Sequence, residues 1–292
     1  MTDSSESLRR KIGSASDLQS VVRTMKALAA SSIGQYEKSV SALADYYRAV
    51  ELGLSACFRG YRPAITAVPT KAHTVSAIVF GSDQGLVGQF NDVIADYAIK
   101  ALAALPGKAQ VWAVGERVYA RLADAGITPI GQFAVPNSVQ AIAPLVGQLQ
   151  IESEAQRLQN GNTSLWIFHN RPQAGALYDP VGQRLLPLDA QWQQDLLKIH
   201  WPSTNLPEVM GTGTTTLRAL IREYLFISLF RACAESLAAE NASRLAAMQR
   251  ADKNINDLLA VLHGDFNQLR QSSIDEELFD LISGFEALGG AG

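Results

Sequence analysis

The chain has 292 residues, 47% of them hydrophobic, and a formal net charge of -3 at pH 7. Proteins whose main partner is nucleic acid need a dense basic surface, so this charge balance argues against that class. The apolar fraction is ample for a core in one or two domains, which excludes extended disorder for most of the chain. No uninterrupted apolar run reaches about 18 residues, so no membrane-spanning helix is predicted.

A coiled-coil rhythm fills the first part of the chain. From residue 8 to residue 54, apolar residues recur at alternating steps of four and three, and the only polar residues at these positions are Gln19 and Lys26. A repeat of about 3.5 residues keeps one face of a helix turned toward a partner helix. No proline occurs from residue 5 to about residue 57, so one long helix is predicted there, ended by the prolines at 63 and 69.

The central segment alternates short apolar runs with amphipathic stretches. Strands are predicted at 74–80, 109–114, 128–135 and 164–168, and helices at 91–105, 116–125 and 138–159. A hairpin is predicted over 176–188, with its turn at Asp179, Pro180, Val181 and Gly182. Such alternation indicates a largely parallel sheet flanked by helices, and hence a Rossmann-like α/β domain.

The coiled-coil rhythm returns near the end of the chain. It extends from residue 220 to residue 269, with polar interruptions at Arg231, Asn241 and Asp252 that would specify register. A second long helix is predicted from residue 214 to about 288, and the Gly/Thr-rich residues 211–216 are predicted to link and cap it.

These elements predict an α/β fold combined with a long antiparallel coiled coil. The N-terminal coiled-coil helix is assigned to residues 1–58, the α/β domain to 70–205 and the C-terminal coiled-coil helix to 209–292. If both ends of the compact insert leave from one side, the two long helices must run in opposite directions. Because the C-terminal helix is the longer one, one of its ends should extend past its partner.

Motifs for catalysis or cofactor binding fail on inspection. Gly81, Gly85 and Gly88 follow a strand, but neither a Gly-Lys-Ser/Thr run nor the G-x-G-x-x-G spacing accompanies them. The four histidines are scattered, no metal-ligand spacing occurs, and Gly-x-Ser-x-Gly is missing. No catalytic residue, cofactor or metal is therefore predicted. Cys57 and Cys233 lie far apart with no signal peptide before them, so reduced thiols in a cytoplasmic protein are expected rather than a disulfide.

Three runs of sequence resemble signatures of the gamma subunit of rotary F-type ATP synthases. The first is SLRRKI at residues 7–12 with Gln19 and MKALAAS at 25–31; the second is GSDQGLVGQFN at 81–91; the third is RQSSIDEELFDLISG at 270–284. The second is similar to S/T-D-R-G-L-C-G-x-x-N of the family, and the third to A-R-Q-x-x-I-T-x-E-L-x-x-I-x-x-G. Residues 81–91 are called the signature loop below.

Four positions depart from the family pattern. Gln84 stands where arginine is usual, Val87 where cysteine is usual, Asp275 where threonine is usual, and Ser32 where a basic residue is usual. These departures suggest a divergent branch, one of the alternative F-type ATPases that some organisms carry beside the ordinary enzyme. The cysteine-bearing insertion of the chloroplast version is also missing, so no thiol regulation is expected.

The resemblance implies a central rotor shaft that couples ion-driven rotation of a membrane ring to ATP synthesis or hydrolysis in a catalytic head. The implied partners are alternating alpha and beta head subunits, a small epsilon-type stalk subunit and the membrane c-ring. The chain would be non-catalytic by itself and peripheral on the cytoplasmic face, with indirect membrane contact. By their positions in the family's motifs, seven residues are expected to contact the head: Met25, Lys26, Asp83, Gln84, Arg270, Gln271 and Asp275.

Two other interpretations use the same residues. A freestanding coiled-coil tether or scaffold with an α/β recognition domain would explain the heptads but not the three signatures. A small-molecule-binding or enzymatic α/β domain would need polar side chains that converge at strand ends, and only Asp83, Asn91 and Asn170 are available.

Overall fold

The computed structural model describes residues 4–61, 74–160, 163–173, 176–188, 190–205, 207–209 and 213–289. The helices are α1 (Ser5–Tyr61), α2 (Phe90–Ala103), α3 (Glu116–Asp124), α4 (Val139–Asn160), α5 (Ala190–Lys198) and α6 (Gly213–Gly289). The strands are β1 (Thr74–Phe80), β2 (Lys108–Val114), β3 (Gly131–Phe133), β4 (Thr163–Gln173) and β5 (Ala176–Leu186). Of the described helices, none has a stretch long and apolar enough to cross a bilayer.

The chain divides into two units by packing. Residues 1–28 and 245–292 form one, the two-helix unit, and residues 29–244 form the other, the α/β unit. The helices α1 and α6 contribute residues to both. The three domains assigned from the sequence, residues 1–58, 70–205 and 209–292, stay a prediction, because packing groups the residues in another way.

The sheet has the order β3-β2-β1-β4-β5. Strand β1 pairs in parallel with β2 and β4, β2 pairs in parallel with β3, and β4 pairs antiparallel with β5. Side chains alternate across β1, so Val75 and Val79 pack under α2 and α3, whereas Ile78 and Phe80 pack in the cluster that holds α4 and α6. Because helices cover both faces, the central strands are nearly continuously apolar.

The predicted hairpin over 176–188 is wrong. Its proposed turn, residues 179–182, lies inside β5 and pairs with residues 168–171 of β4. Strand β5 lies at the edge of the sheet, where Pro180 is tolerated because an edge residue can do without a ladder hydrogen bond. Residues 174–175, between the two strands, lie outside the described residues, as do 211 and 212 of the predicted capping linker.

The remaining predicted elements occur, and strand β4, predicted at 164–168, is longer at Thr163–Gln173. Strand β1 has the predicted bounds, and the weak strand predicted at 128–135 shortens to Gly131–Phe133. Helix α5 was not predicted. It is short, and its apolar side chains Trp192 and Leu196 pack against Tyr224 and Ile227 of α6.

In the two-helix unit, α1 and α6 run antiparallel. Gln19 donates a hydrogen bond to Asn256 (2.6 Å), whereas Arg9, nearer the start of α1, lies over the ring of Phe266, further along α6. The apolar positions of the rhythm, such as Val22 and Ile255, form the buried seam between them. The predicted antiparallel coiled coil is confirmed here.

The α/β unit contains a second antiparallel contact between the same helices. Tyr47 contacts Tyr224 with ring centroids 6.1 Å apart, and the hydroxyl of Tyr46 donates to Glu223 (2.7 Å). Further along α6, residues 232–240 are all buried, in a cluster that joins Tyr36 of α1 to the sheet. Cys57 and Cys233 are both free and buried in this unit.

Candidate partner-binding surfaces

The signature loop is closed by its own polar side chains. The backbone N–H of Ser82 donates to Oδ1 of Asn91 (3.0 Å), and Nδ2 of Asn91 donates to Oγ of Ser82 (2.8 Å). Oγ of Ser82 in turn donates to the carbonyl of Gln84 (2.8 Å). The loop that follows β1 is therefore held in one shape by residues of its own signature.

Asp83 joins this loop to the segments that follow β2 and β3. One carboxylate oxygen accepts from the backbone N–H of Glu116 (2.9 Å) and the other from that of Val135 (2.8 Å). Glu116 is the first residue of α3, where a carboxylate satisfies a free N–H and faces the positive end of the helix dipole. Asp83 thus fixes loop geometry, and its side chain stays partly exposed.

The side chains of the loop differ in exposure. Gln84 and Leu86 are exposed, Leu86 to 60% and with a φ of 63°. Val87 is buried against Phe90 and Ala239. Valine suits this apolar site, which explains how the chain tolerates the loss of the usual cysteine.

Met25 and Lys26 lie on the two-helix unit. Nζ of Lys26 contacts Oδ2 of Asp252 (3.1 Å), and Nε of Arg23 contacts Oδ1 (3.3 Å). The hydrogen bond from Lys26, with that from Arg23, lowers the pKa of Asp252. Met25 packs at the margin of the Val22 cluster. Two polar interruptions of the predicted seam, Lys26 and Asp252, are therefore partners of each other.

Arg270, Gln271 and Asp275 are exposed on α6. They belong to a longer exposed stretch, residues 270–283, which we call the exposed end of α6. Its apolar side chains are at least 47% exposed and comprise Ile274, Leu278, Phe279, Leu281 and Ile282. Large exposed apolar groups that lie close together mark interaction surfaces.

The polar residues that a small-molecule site would need are used elsewhere. Asn91 and Asp83 hold the loop, and Nδ2 of Asn170 donates to the carbonyl of Phe90 (2.9 Å). In the part of the chain that the structure describes, no cluster of three or more His, Cys, Asp and Glu could hold a metal ion.

Sequence reasoning missed a buried ionic cluster around Glu235 of α6. Its carboxylate contacts Nε2 of His169 (2.7 Å), Nε of Arg171 (2.9 Å) and Nε of Arg231 (2.7 Å). Burial alone would raise the pKa of Glu235, but hydrogen bonds from His169 and the two arginines outweigh it and lower the pKa to about 2. The four-residue spacing of Arg231 and Glu235 was the only sequence signal.

A second ion pair lies two turns beyond Glu235 on α6. Nη2 of Arg244 contacts Oε1 of Glu240 (2.6 Å). Burial, aided by the negative charge of Asp83, raises the pKa of Glu240, and Arg244 opposes this shift. The loop residue Asp83 and the helix α6 are therefore electrostatically linked.

Comparison with known proteins gives a consistent family. The family model described as ATP synthase matches residues 4–288. The ATP synthase gamma chain of Glaesserella parasuis is 27% identical, over 96% of this chain and 98% of the relative. That of Polynucleobacter necessarius is 24% identical, over 98% of this chain and 99% of the relative.

Solved structures share the fold. A chain from the Euglena gracilis mitochondrial ATP synthase, solved with OSCP, F1 and c-ring in rotational state 3, aligns with a TM-score of 0.65 at 16% identity, covering 97% of this chain and 94% of that chain. A chain from the Tetrahymena thermophila central stalk and c-ring aligns with a TM-score of 0.56 at 18% identity, covering 79% and 99%. The paired long helices and the α/β domain thus define a class of proteins that share the fold of these ATP synthase chains. Within that class, the chain belongs to the gamma subunit family of ATP synthases.

Proposed function

We infer that this chain is the central rotor shaft of an F-type ATP synthase. It would couple rotation of an ion-driven membrane ring to ATP synthesis or hydrolysis in a catalytic head. The observation that carries this conclusion is the family match over residues 4–288, which includes both long helices and the α/β domain between them. A freestanding tether with an α/β recognition domain would explain the heptads but not a family match of this extent.

The two-helix unit is proposed to contact alternating alpha and beta subunits of the head. The exposed end of α6 supports this, since its apolar side chains need surrounding protein to exclude water. Lys26 has three N–H donors and stays partly exposed beside Asp252, so it can also pair with an acidic loop of the head. Met25, Arg270, Gln271 and Asp275 are the remaining proposed contacts of this unit.

The signature loop is proposed as a separate contact with the head. Because both oxygens of Asp83 accept backbone hydrogen bonds, Asp83 would hold the loop in shape. Its partly exposed side chain would also face the head, and the exposed Gln84 would supply the main polar contact. The α/β unit would bind an epsilon-type subunit and rest on the c-ring, which makes the protein peripheral on the cytoplasmic face of the membrane.

A divergent branch of the family is proposed as well. The departures at Ser32, Gln84, Val87 and Asp275 support it, and so do identities of 24% and 27% to the two gamma chains compared above. If the chain belongs to such a branch, the head subunits that it binds should differ in sequence from those of an ordinary ATP synthase in the same cells.

Purification from native membranes tests the rotor function. The tagged chain is extracted in mild detergent, and its partners are identified and assayed for ATPase activity. The proposal predicts alternating head subunits with one copy of this chain and ATPase activity in the same fraction. Recovery of the chain alone, or with unrelated proteins, would refute it.

Substitution of one exposed arginine tests the proposed contacts. Arg270→Ala should lower ATPase activity of the purified complex, because Arg270 belongs to the proposed contact set. Arg250→Ala is the matched control, an exposed arginine on α6 in the same unit but outside that set. Equal activity of the two variants would remove Arg270 from the contact surface.

A further inference from the structure

One face of α6 contacts the α/β domain at regular intervals along the helix. Glu235, Ala239 and Ser243 are spaced by four residues, so they lie along the same side of the helix. Glu235 contacts β4, Ala239 packs on Val87 of the signature loop, and Oγ of Ser243 donates a hydrogen bond to the carbonyl of Val87. A polar contact therefore stands at each end of this face, with a small apolar contact between them.

Of the three contacts, the one at Glu235 involves charged side chains. His169 and Arg171 are two positions apart on β4 and so project from the same side of the strand. Both donate to Oε2 of Glu235, while Arg231 donates to Oε1. The side chains of Glu235 and His169 are only 7% and 2% exposed. Charge-assisted hydrogen bonds of this kind are short and directional, so they fix where α6 lies along β4.

Most residues around this contact could not by themselves fix the position of α6 along β4. The surrounding stretch of α6 is rich in small side chains, namely Ala232, Cys233, Ala234, Ala238 and Ala239. Apolar burial is not directional, and small side chains interdigitate weakly. Single polar contacts in apolar helix interfaces are best known for setting register.

We propose that Glu235 and His169 form a register pin, a pair of positioning residues through which torque passes between the sheet and α6. The proposal rests on the rotor function inferred above, because only a protein that transmits torque must resist sliding between these two elements under load. In this account, the apolar contacts stabilise the fold and the pin prevents slip.

Three variants separate torque transmission from stability. Glu235→Ala removes the pin. The double variant His169→Leu with Glu235→Met replaces the hydrogen-bonded pair by apolar side chains of similar size, a change that often preserves stability. Arg171 and Arg231 lose their partner in this variant, but their side chains are 41% and 49% exposed and can be solvated by water. Glu154→Ala is the control, since Glu154 of α4 forms a largely exposed ion pair with Arg222 of α6 (3.5 Å) and so also joins α6 to the α/β domain.

Two quantities are measured for each variant in the reconstituted holoenzyme and the full chain. One is the number of ions pumped per ATP hydrolysed, and the other is resistance of the chain to unfolding. Glu235→Ala should lower both, with the pumping ratio falling about twofold or more. The double variant should regain stability while its pumping ratio stays low, and Glu154→Ala should leave both unchanged.

Two results would overturn the register pin, and a third would overturn the rotor function. Recovery of the pumping ratio together with stability in the double variant would overturn the pin, because the pair would then be merely structural. An unchanged ratio in Glu235→Ala would overturn it too. A wild-type chain that neither assembles with a catalytic head nor supports pumping would overturn the rotor function itself, and the pin with it.

Discussion

The same helix, α6, is packed differently in the two units. In the α/β unit, residues 232–240 are buried on every side, against α1 and the sheet. In the two-helix unit, only seam residues such as Met248 and Ile255 are buried, and the described side chains after residue 270 are exposed. One coiled-coil rhythm thus makes a core helix in one place and, in the other, a surface that is complete only when another protein surrounds it.

Truncation of one isoleucine in each unit should give the largest contrast. Ile227 is 0% exposed among Leu54, Tyr224 and other apolar side chains, whereas Ile255 is 8% exposed in a seam of two helices. We expect Ile227→Ala to lower the free energy of unfolding by about 3–5 kcal/mol and Ile255→Ala by about 2 kcal/mol, because an enclosed site cannot collapse onto the cavity. Denaturant titration followed by circular dichroism measures both, and equal losses would contradict the contrast.

Acid should destabilise the α/β unit through Glu235. Its folded pKa of about 2 lies below the ordinary value of 4.5, so its contribution to stability is complete above pH 4.5 and is lost as the pH falls toward 2. That contribution is on the order of 3 kcal/mol. We expect Glu235→Gln to flatten the decline of unfolding free energy between these pH values, and exposed Glu154→Gln to leave it as in the wild type. A wild-type slope in Glu235→Gln would contradict the assignment.

Glycine-to-alanine changes should have opposite signs in the two units. At Gly115 φ is +117°, and an added Cβ would lie 2.8 Å from the backbone of Ser82 at the signature loop. We expect Gly115→Ala to destabilise the chain by about 2–3 kcal/mol through strain and overpacking. Gly264 lies in α6 with nothing within 4 Å of an added Cβ, so Gly264→Ala should stabilise it by about 0.5–1 kcal/mol. Melting temperatures that shift in the same direction would contradict this.

The smallest effect is expected for the ion pairs of the two-helix unit. Asp252→Asn weakens the contacts with Lys26 and Arg23, and should lower the melting temperature slightly at low salt. The difference should shrink in about 1 M salt, since salt screens exposed charges. Asp257→Asn, at an exposed position on the same helix, is the control. A loss that salt leaves unchanged would mean that Asp252 is more enclosed than the structure shows.

Local pattern was enough to predict the long helices and most of the sheet. The seam of α1 and strand β1 follow from spacing and residue type, because each repeats a periodicity within one element. The turn predicted at residues 179–182 failed because pairing with β4 overrides the local preference of Asp179, Pro180 and Gly182. Helix α5 was missed because it is short and has few apolar residues.

The candidate surfaces also contain features that the sequence predicted and features that it did not. The exposure of Arg270 and Gln84 agrees with positions chosen from sequence signatures, although their contacts stay predictions. The cluster of Glu235 with His169 could not be predicted, because the two residues are far apart in sequence and meet only when α6 packs on β4. The pairing of Lys26 with Asp252 was likewise hidden, although both had been noted as interruptions of the seam.

Direct observation of rotation tests the central claim. The complex is fixed to a surface through its catalytic head, a probe is attached to the α/β unit of this chain, and ATP is added. The rotor function predicts stepwise rotation of the probe in one direction while ATP is hydrolysed. A stationary probe on a head that hydrolyses ATP would contradict it.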